Sequence, residues 1–540
     1  ARGFLLHGVT GSGKTEIYLH AIAETLAQGR QAIFLVPEIA LTPQTIRRVA
    51  HRFPDQVAVV HGSLSHGERY DTWRRAREGH IQVIVGTRSA LFTPLPDIGL
   101  IILDEEHDAS YKQAPPILPP YYQSRDVAEK LADLNEATLI LGSATPDLES
   151  FYRAEKGDLQ YLHLPSRIMG HRQRVEKQAK QRGVDLAYEA VDGDAMTISL
   201  PPVTIVDMRD ELKKGNRSMF SADLKHALTG VLARKEQAIL FLNRRGQASY
   251  VFCRDCGYVV GCDRCDTPMT YHRHGEKMRC HHCANQQGSP DICPECSSER
   301  IRFFGAGTQQ VEQSIRKEFP EARLLRWDRD TADKPEMHEA ILGKFANGEA
   351  DILVGTQMIA KGLDLPLVTL VGVVSADPGL ALPDFRARER AFQLLTQVAG
   401  RAGRGILGGQ VIIQTYQPEH PSIVMAADHD YERFYALEIE ARRELAYPPL
   451  RRLGRVLVQN THPIEAQRQI EGAAEQIAHL IQKHGLTDTH MIGPAPCFFS
   501  RIDRHYRWQI LIRSTDPTRV LEHIQPQSGW YIDIDPMDIL

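Results

Sequence analysis

The stretch FLLHGVTGSGKT at residues 4–15 constrains the fold of this chain more than any other. An apolar run leads into the spacing Gly-x-x-x-x-Gly-Lys-Thr, which ends at Thr15, and a helix-like pattern follows as far as Gly29. Strand, glycine-rich loop and helix in this order form the local structure of a phosphate-binding loop. The pattern therefore predicts an α/β domain that binds a nucleoside triphosphate at the N-terminus of that helix.

The residues of this loop have distinct predicted roles. Gly8, Gly11 and Gly13 allow backbone N–H groups to close around phosphates, because glycine has no side chain in the way. Lys14 is expected to reach the β- and γ-phosphates, and Thr15 is expected to offer its hydroxyl to Mg²⁺. ATP and Mg²⁺ are thus the expected ligands, and the alternative is a glycine-rich turn that arose by chance.

Four further apolar runs, QAIFLVP, IQVIVGT, LIILDEEH and TLILGSATP, are separated by helical segments. Continuous apolar runs of this kind predict a parallel sheet that is buried on both faces. One run ends in Asp104 and Glu105, at the carboxyl edge where open α/β sheets bind ligands. Asp104 is expected to hold Mg²⁺ through water, and Glu105 to orient or deprotonate the attacking water. The alternative is an acidic strand end with surface loop residues.

The phosphate-binding loop, DEEH and GSAT in this order resemble motifs of superfamily 2 helicases and translocases. Two later segments extend the resemblance: DILVGTQMIAKG, which ends at Gly362, is similar to motif V, and QVAGRAGR at 397–404 is similar to motif VI. The resemblance implies an α/β fold with two RecA-like lobes, with ATP between them and Gly362 among the residues that bind it. Arg401 and Arg404 would then be arginine fingers that stabilise charge on the transferring γ-phosphate.

Further segments are similar to one family, the bacterial primosomal replication-restart helicases (the PriA family). They are LVPEIALTPQ, HGSLSHGERYDTW, DEEHDASYKQ, FLNRRG, WDRDT and the cysteine pairs described below, and the resemblance extends from Gly3 to about Asp535. It implies an ATP-dependent 3′→5′ DNA helicase that remodels stalled or abandoned forks and starts primosome assembly. The implied partners are single-stranded and forked DNA, single-strand-binding protein, primosome proteins and, through them, the replicative helicase.

The family has an N-terminal DNA-binding domain and a winged helix before the phosphate-binding loop. This chain opens on ARGFLLHG, without an initiator Met or a signal peptide. We therefore expect a piece of a longer cytoplasmic protein that acts at forks on the nucleoid, with much of fork recognition in the missing part.

Three alternative functions remain open. Another superfamily 2 translocase would share the ATP chemistry and differ in its DNA or RNA substrate. A catalytically inactive assembly scaffold is disfavoured, because the residues of the ATPase motifs are all intact: Lys14, Thr15, Asp104, Glu105, Arg401 and Arg404. A zinc-dependent nucleic-acid-binding module with an incidental nucleotide switch would bind nucleotide tightly without DNA-stimulated turnover.

Eight of the nine cysteines form four Cys-x-x-Cys pairs between Cys253 and Cys296. Eight thiolates suffice for two tetrahedral Zn²⁺ sites, and the alternatives are disulfides, a redox dithiol or an iron–sulfur centre. The spacing alone leaves the pairing open. The family resemblance implies two structural, nested sites: Cys253, Cys256, Cys293 and Cys296 on one zinc, and Cys262, Cys265, Cys280 and Cys283 on the other.

Two histidines and the ninth cysteine stand apart from these sets. His281 and His282 lie inside one Cys-x-x-Cys knuckle and are alternative ligands, although Cys283 already fills the position. Cys497 is expected to be a buried thiol, and no role is assigned to it.

The segment DASYKQAPPILPPYYQSRD at 108–126 follows DEEH. In the family, an aromatic-rich loop at this position couples single-stranded DNA to ATP hydrolysis. Tyr121 and Tyr122 are therefore candidates for stacking on bases, and Arg125 for contact with phosphate or with the acidic motif. The alternative is a proline-rich surface connection with a packed tyrosine pair. APPILPP at 114–120 replaces the acidic, glycine-containing stretch that is usual in the family.

Composition sets the remaining limits. The chain is 42% hydrophobic and 24% charged with a net charge of −4, so it is expected to be globular, without a membrane partner and not basic in bulk.

The expected domains are lobe 1 at 1–165, a solvated linker or insertion at 166–200, the first part of lobe 2 at 201–250, a two-zinc insertion at 251–300, the second part of lobe 2 at 301–430 and a C-terminal α+β domain at 431–540.

A basic and aromatic group of residues is expected in the C-terminal domain. Arg501, Arg504, Arg507 and Trp508 are candidates to bind the DNA backbone or the acidic tail of single-strand-binding protein, as the family's C-terminal domain does. The alternative is that Trp508 packs in a core.

Overall fold

The computed structural model describes residues 2–540 with gaps. The residues outside the description are 39–42, 116, 118, 172–188, 191–194, 244–248, 265–267, 273–276, 282, 305–307, 329–330, 332–334, 357–358, 360–364, 366 and 404–406. Cys265, His282, Gly362 and Arg404 lie among them, and so does most of the expected linker.

The chain divides into two compact units. The first comprises Ala1–Pro201, Ala360–Pro366 and Gly403–Gly408, and the second comprises Pro202–Ile359, Leu367–Ala402 and Gly409–Leu540.

A seven-stranded parallel sheet forms the first unit. The five apolar runs predicted as strands are confirmed as members of it. Its strands in spatial order are Val57–Val60, Val83–Gly86, Gln31–Leu35, Ile98–Asp104, Thr138–Ser143, Arg2–Gly8 and Gln160–Leu164.

Both faces of this sheet are buried, as the apolar runs predict. Ile33 and Leu35 pack in the core on one face, whereas Ala32 and Phe34 pack in the core on the other. The covering helices are Lys14–Ala27, Pro43–Arg52, His66–Arg77, Ser124–Leu134 and Leu148–Glu155, and 3₁₀ turns span Arg88–Phe92 and Ala109–Tyr111.

Two small antiparallel sheets complete the first unit. Lys112–Gln113 pairs with Tyr122–Gln123 in a hairpin just after DEEH. Arg167–His171, Ala195–Ile198 and Glu189–Ala190 form three strands within the expected linker. Arg167, near the start of this segment, is only 2% exposed. The assignment of 166–200 as a linker or insertion stays a prediction.

The second unit contains a six-stranded parallel sheet. Its strands in order are Val203–Asp207, Gln410–Thr415, Val368–Ser375, Gln237–Leu242, Ile352–Gly355 and Leu324–Trp327. Its helices are Met208–Lys213, Ala222–Ala233, Thr308–Glu318, Pro335–Ala346, Asp377–Leu380, Ala387–Ala399, Pro421–Ala427 and Tyr431–Glu444.

The cysteine-rich region interrupts this second sheet. It is a five-stranded antiparallel sheet of short strands, whose core contains four of the cysteines together with Val251, Met269 and Met278. In spatial order the strands are Gln286–Gly288, Lys277–Arg279, Thr270–His272, Ser249–Cys253 and Ile301–Phe304.

The C-terminal part is a four-stranded antiparallel sheet packed against a long helix. The strands in order are His490–Ile502, His505–Ser514, Arg452–Asn460 and Trp530–Ile534, and the helices are Pro463–Lys483 and Thr518–Leu521. The predicted fold class is thus confirmed: two parallel α/β lobes, a cysteine-rich insertion and a small α+β domain. In the part of the chain that the structure describes, every helix is too short or too polar to cross a membrane.

The expected basic and aromatic group of the C-terminal domain does not form one surface. Successive strand residues point to opposite faces of a sheet. Trp508 is partly buried against the core beneath the helix, which is the alternative that the sequence left open. Arg507 is 9% exposed and donates to the carbonyl oxygen of Phe499 at 3.2 Å, whereas Arg501 and Arg504 are exposed near the hairpin turn.

Candidate functional site

The phosphate-binding loop connects the strand Arg2–Gly8 to the helix that begins at Lys14. Gly11 and Gly13 have φ values of +87° and +90°, a left-handed conformation that favours glycine. Gly8 is needed for a different reason, because a Cβ there would lie 2.5 Å from Ser12 Oγ. The backbone conformation therefore favours glycine at Gly11 and Gly13, whereas Gly8 leaves room for the side chain of Ser12.

Lys14 is buried at the mouth of this loop, and its Nζ donates to the carbonyl oxygen of Gly8 at 2.6 Å. Thr15 follows it in the first turn of the helix, where N–H groups have no partner within the helix. Ser12 Oγ is buried and has no hydrogen-bond partner among the residues that the structure describes. A cation, helix N–H groups and an unsatisfied hydroxyl around one loop fit a phosphate group.

Asp104 ends its strand at the carboxyl edge of the same sheet and accepts a hydrogen bond from Tyr18 Oη at 3.0 Å. Burial, reinforced by the charge of Glu105, raises the pKa of Asp104 to about 6. Lys14 opposes this shift, so the two side chains share one electrostatic environment. A buried carboxylate near a lysine and a phosphate-binding loop is a suitable ligand for a divalent cation. The cation would supply positive charge that stabilises the ionised carboxylate.

The GSAT segment lies beside the acidic strand end. His107 Nδ1 is 2.7 Å from Ser143 Oγ, and Ser143 Oγ accepts a hydrogen bond from the N–H of Thr145 at 2.9 Å. Glu105, with a φ of +48°, places Oε2 3.7 Å from the same histidine. DEEH and GSAT are therefore joined directly by side chains at the ends of neighbouring strands.

Arg125 lies in a buried group of charges formed with the third acid of DEEH. Its Nη1 is 3.1 Å from Glu106 and 3.3 Å from Asp147, and it donates to Ser150 Oγ at 2.9 Å. Burial raises the pKa of Glu106, and the guanidinium opposes that effect. Of the two contacts that the sequence left open for Arg125, the structure therefore shows the one with the acidic motif.

The two tyrosines before this arginine are partly exposed. Tyr122 belongs to the hairpin strand and packs edge-to-face on Phe92, with ring centroids 5.3 Å apart. Phe92 itself is 46% exposed. The structure thus places an accessible aromatic group beside DEEH, and base stacking by Tyr121 and Tyr122 stays a prediction.

Motif VI begins in the last turn of the helix Ala387–Ala399. Arg401 is 5% exposed and its N–H donates to the carbonyl oxygen of Val398 at 3.0 Å, in the turn that ends this helix. Arg404 and Gly362 lie outside the described residues. The role of all three residues stays a prediction.

The cysteines gather in two groups. The Sγ atoms of Cys253, Cys256, Cys293 and Cys296 all lie within 4.8 Å of one another, and so do those of Cys262, Cys280 and Cys283. Individual Sγ–Sγ distances are 3.6 Å for Cys253–Cys296 and for Cys256–Cys293, and 3.7 Å for Cys262–Cys283.

These separations distinguish a disulfide from a tetrahedral zinc site. A disulfide requires about 2.05 Å between sulfurs, whereas a tetrahedral zinc site with Zn–S bonds of about 2.3 Å separates them by roughly 3.8 Å. The described cysteines are free thiols at the separation that suits zinc. The two groups are those of the nested arrangement, with Cys265 outside the description.

His281 points away from the sulfurs. It is 3% exposed, and its Nδ1–H donates to the carbonyl oxygen of Pro496 at 3.0 Å while its ring packs edge-to-face on Phe498. This histidine therefore attaches the cysteine-rich region to the C-terminal sheet. Cys497 is buried and lies 3.6 Å from a guanidinium nitrogen of Arg455.

Sequence reasoning missed two features around the nucleotide site. Tyr18 lies one turn into the helix after the loop, and its bond to Asp104 has no signature in a motif. His7 precedes Gly8, and its Nδ1 is 2.8 Å from Tyr161 Oη, across a separation of 154 residues. The sequence signal for His7 was a polar residue directly after the apolar run FLL.

Four segments of the chain match known families. Residues 1–153 match DEAD/DEAH box helicase, and residues 292–405 match Helicase conserved C-terminal domain. Residues 262–287 match PriA DNA helicase Cys-rich region (CRR) domain, and residues 443–537 match Primosomal protein N C-terminal domain. The helicase matches imply the use of ATP, and the cysteine groups indicate zinc binding.

Curated relatives match almost the whole chain. It is 49% identical to replication restart protein PriA of Bacillus subtilis, over 96% of this chain and 61% of the relative. It is 46% identical to the Synechocystis protein of that name, over 99% and 62%, and 38% identical to the Treponema pallidum protein, over 100% and 78%. The chain thus spans about three fifths of the first two relatives. It belongs to the family of replication restart protein PriA.

Proposed function

We propose that this chain is the ATP-driven motor part of a replication-restart helicase. It moves 3′→5′ on single-stranded DNA, remodels stalled or abandoned forks and starts primosome assembly. Family membership supports the direction and the fork substrate. The observation that carries the ATPase assignment is the convergence of Lys14 and Asp104 on one edge of a parallel sheet, where the lysine lowers the pKa of Asp104 against the effect of burial.

In this proposal the phosphates of ATP occupy the loop of Gly8, Gly11 and Gly13, and the helix N–H groups face them. Lys14 leaves the carbonyl oxygen of Gly8 and reaches the β- and γ-phosphates. The lysine ammonium can exchange the carbonyl oxygen for phosphate oxygens, because it is a donor that any nearby oxygen can accept from.

Thr15 and Asp104 would hold Mg²⁺, which neutralises charge on the phosphates when it is bound. Glu105 orients or deprotonates the attacking water. Its Oε2 lies 3.7 Å from His107 Nδ1, directly after the strand end. The motif V segment would contribute Gly362 to nucleotide binding. The motif VI segment would contribute Arg401 and Arg404, which would stabilise charge on the γ-phosphate.

DNA contact is proposed at the exposed aromatic group beside DEEH. Tyr121 and Tyr122 would stack on bases, and the hairpin that carries Tyr122 leads directly into the helix of Arg125. Arg125 would act through Glu106 rather than on DNA phosphate, because its guanidinium is buried among carboxylates. Binding of DNA at the hairpin and the geometry of DEEH are then linked.

Two structural Zn²⁺ ions are proposed for the cysteine-rich region, one in each group. Four cysteine ligands leave no open position, so neither ion takes part in hydrolysis. The proposed protein partners are single-strand-binding protein, primosome proteins and, through them, the replicative helicase.

The test is steady-state ATP hydrolysis with and without single-stranded DNA. We expect DNA to raise the rate strongly in the wild type, and the rate to vanish in Lys14→Ala. Lys130→Ala, which removes an exposed lysine of the same unit, should hydrolyse ATP like the wild type. A rate that DNA does not raise, in protein with its zinc intact, would contradict the proposal and favour an assembly scaffold.

A further inference from the structure

The segment by which the chain leaves the first parallel sheet runs alongside the phosphate-binding loop. Three successive loop residues form hydrogen bonds with it. The N–H of Val9 donates to the carbonyl oxygen of Leu164 at 3.1 Å, Arg167 Nε donates to that of Thr10 at 3.0 Å, and the N–H of Ile168 donates to that of Gly11 at 3.0 Å.

The packing is as close as the hydrogen bonding. A Cβ built on Gly11 would lie 3.0 Å from Cγ of Arg167, and one built on Gly8 would lie 3.1 Å from Cβ of Leu164. Arg167 is 2% exposed. Its aliphatic stem therefore covers the backbone of the loop, while its Nε satisfies a loop carbonyl.

The bond to Thr10 bears on the direction of one loop N–H group, that of Gly11. In a planar trans peptide the C=O and the N–H point in opposite directions. When the carbonyl of Thr10 is held towards Arg167, the N–H of Gly11 in the same peptide unit is directed to the other side. Gly11, with a φ of +87°, lets the Thr10–Gly11 peptide plane adopt several orientations. The hydrogen bond from Arg167 selects one of these orientations.

We propose that Arg167 is a positioning residue of the nucleotide site: it holds the Thr10–Gly11 peptide with its N–H turned towards the phosphates of ATP. The inference rests on the proposed function, because it assumes that the loop binds a nucleotide. It adds a residue that lies outside the helicase motifs, more than 150 positions after the loop. Arg167 also begins the strand Arg167–His171, so the loop and the start of that strand are bound as one element.

Two substitutions separate the hydrogen bond from the packing. The side chain of Gln places Nε2 at the same number of bonds from Cβ as the Nε of Arg, so Arg167→Gln keeps a donor for Thr10. Arg167→Met has the same length and covers Gly11 equally, but places a methyl group where the donor was. Both variants lose the two terminal nitrogens, so every other contact of the guanidinium is removed equally from the pair.

The experiment is calorimetric titration of the full chain with ADP and Mg²⁺, together with KM and kcat for ATP. We expect Arg167→Met to bind ADP about three- to tenfold more weakly than Arg167→Gln, which is the size of one lost hydrogen bond. The KM for ATP should rise by a similar factor while kcat changes less. Arg153→Met, which removes a partly exposed arginine of the same unit, should bind ADP like the wild type.

The thermal midpoints of the Gln and Met variants show whether both are folded. If the two midpoints agree, a difference in ADP affinity reports the positioning role of Arg167 rather than a loss of stability. Equal ADP affinity of the two variants would overturn the inference while leaving the proposed function intact. A wild-type chain that binds no nucleotide would overturn both. A Met variant that is less stable but binds ADP as tightly as the Gln variant would show a purely structural role for Arg167.

Discussion

Arg125 and Glu106 form an ion pair of 3.1 Å in the interior of the first unit, with side-chain exposures of 8% and 0%. Glu106 also accepts hydrogen bonds from Ser150 Oγ at 2.7 Å and from the N–H of Asp147 at 2.8 Å. This carboxylate thus joins DEEH, the helix after the hairpin and the segment after GSAT. In the proposed function, this carboxylate connects the hairpin to the acidic motif.

Arg125→Met is expected to destabilise the first unit by about 3–5 kcal/mol, because it leaves the Glu106 charge buried without its cation. Addition of Glu106→Gln should restore part of this loss, since the remaining carboxamide carries no charge. Denaturant unfolding of the single and double variants measures the coupling. Arg153→Met, at a half-exposed pair with Glu129, is the control and should change stability little. Additive effects of the two substitutions would contradict a direct interaction.

Zinc content should distinguish the two cysteine groups. The wild type is expected to contain two zinc ions, and Cys256→Ser or Cys262→Ser is expected to retain one, because each removes a ligand from one group only. Cys497→Ser should retain both, since this thiol lies apart from the two groups. Atomic absorption on purified protein measures the stoichiometry. Loss of zinc from Cys497→Ser, or a wild-type content of one, would refute the assignment.

His281→Ala should leave the zinc content unchanged, because this histidine bonds to Pro496 rather than to a metal. We expect the substitution to loosen the cysteine-rich region from the C-terminal sheet, since it removes both the hydrogen bond and the ring contact with Phe498. Limited proteolysis measures that loosening as faster cleavage in the cysteine-rich region. A drop to one zinc would show that His281 is a ligand after all.

His7 should make the first unit sensitive to acid. Burial, followed by the charges of His163 and Lys14, lowers its pKa from 6.5 to about 3. As pH falls below about 6.5, His7 is protonated in the unfolded chain but stays neutral in the folded chain until about pH 3. The contribution of neutral His7 to the free energy of unfolding is therefore complete above pH 6.5 and is lost as pH falls towards 3. Between pH 7 and pH 5 the loss is roughly 2 kcal/mol.

Denaturant unfolding at these two pH values measures the effect. His7→Gln should lose less stability than the wild type on acidification, because Gln does not titrate. His20→Gln, at an exposed histidine of the first helix, should behave like the wild type. An unchanged pH dependence in His7→Gln would mean that other groups cause the acid sensitivity.

Arg442 should anchor the helix Tyr431–Glu444 to the helix that leads into motif VI. It is 2% exposed and lies 2.6 Å from Glu389 on that helix and 3.2 Å from Glu438 on its own. Arg442→Met is expected to cost about 3–5 kcal/mol, because two buried carboxylates lose their shared cation. Arg443→Ala, at the adjacent exposed ion pair with Glu440, is the matched control and should leave the unfolding curve unchanged.

The sequence by itself determined the features whose physics is local. A phosphate-binding loop needs glycines, a lysine and a hydroxyl within eight residues, and DEEH and Cys-x-x-Cys are equally short. The alternation of apolar runs with helical segments likewise predicted the first parallel sheet, because strands buried on both faces read as continuous apolar runs. The second lobe followed from the resemblance of the motif V and motif VI segments. The family followed from these motifs in combination.

Only the tertiary structure decided the contacts that join distant segments. Arg125 was a candidate for contact with phosphate or with an acid, and the structure shows its ion pair with the buried Glu106. Trp508 could have been a surface or a core residue, and strand alternation placed it against the core. Arg167 belonged to a polar stretch that predicted a linker, yet the parallel strand Gln160–Leu164 carries it to the loop. Contacts between distant segments depend on strand register and sheet topology. A short stretch of sequence does not determine either of these.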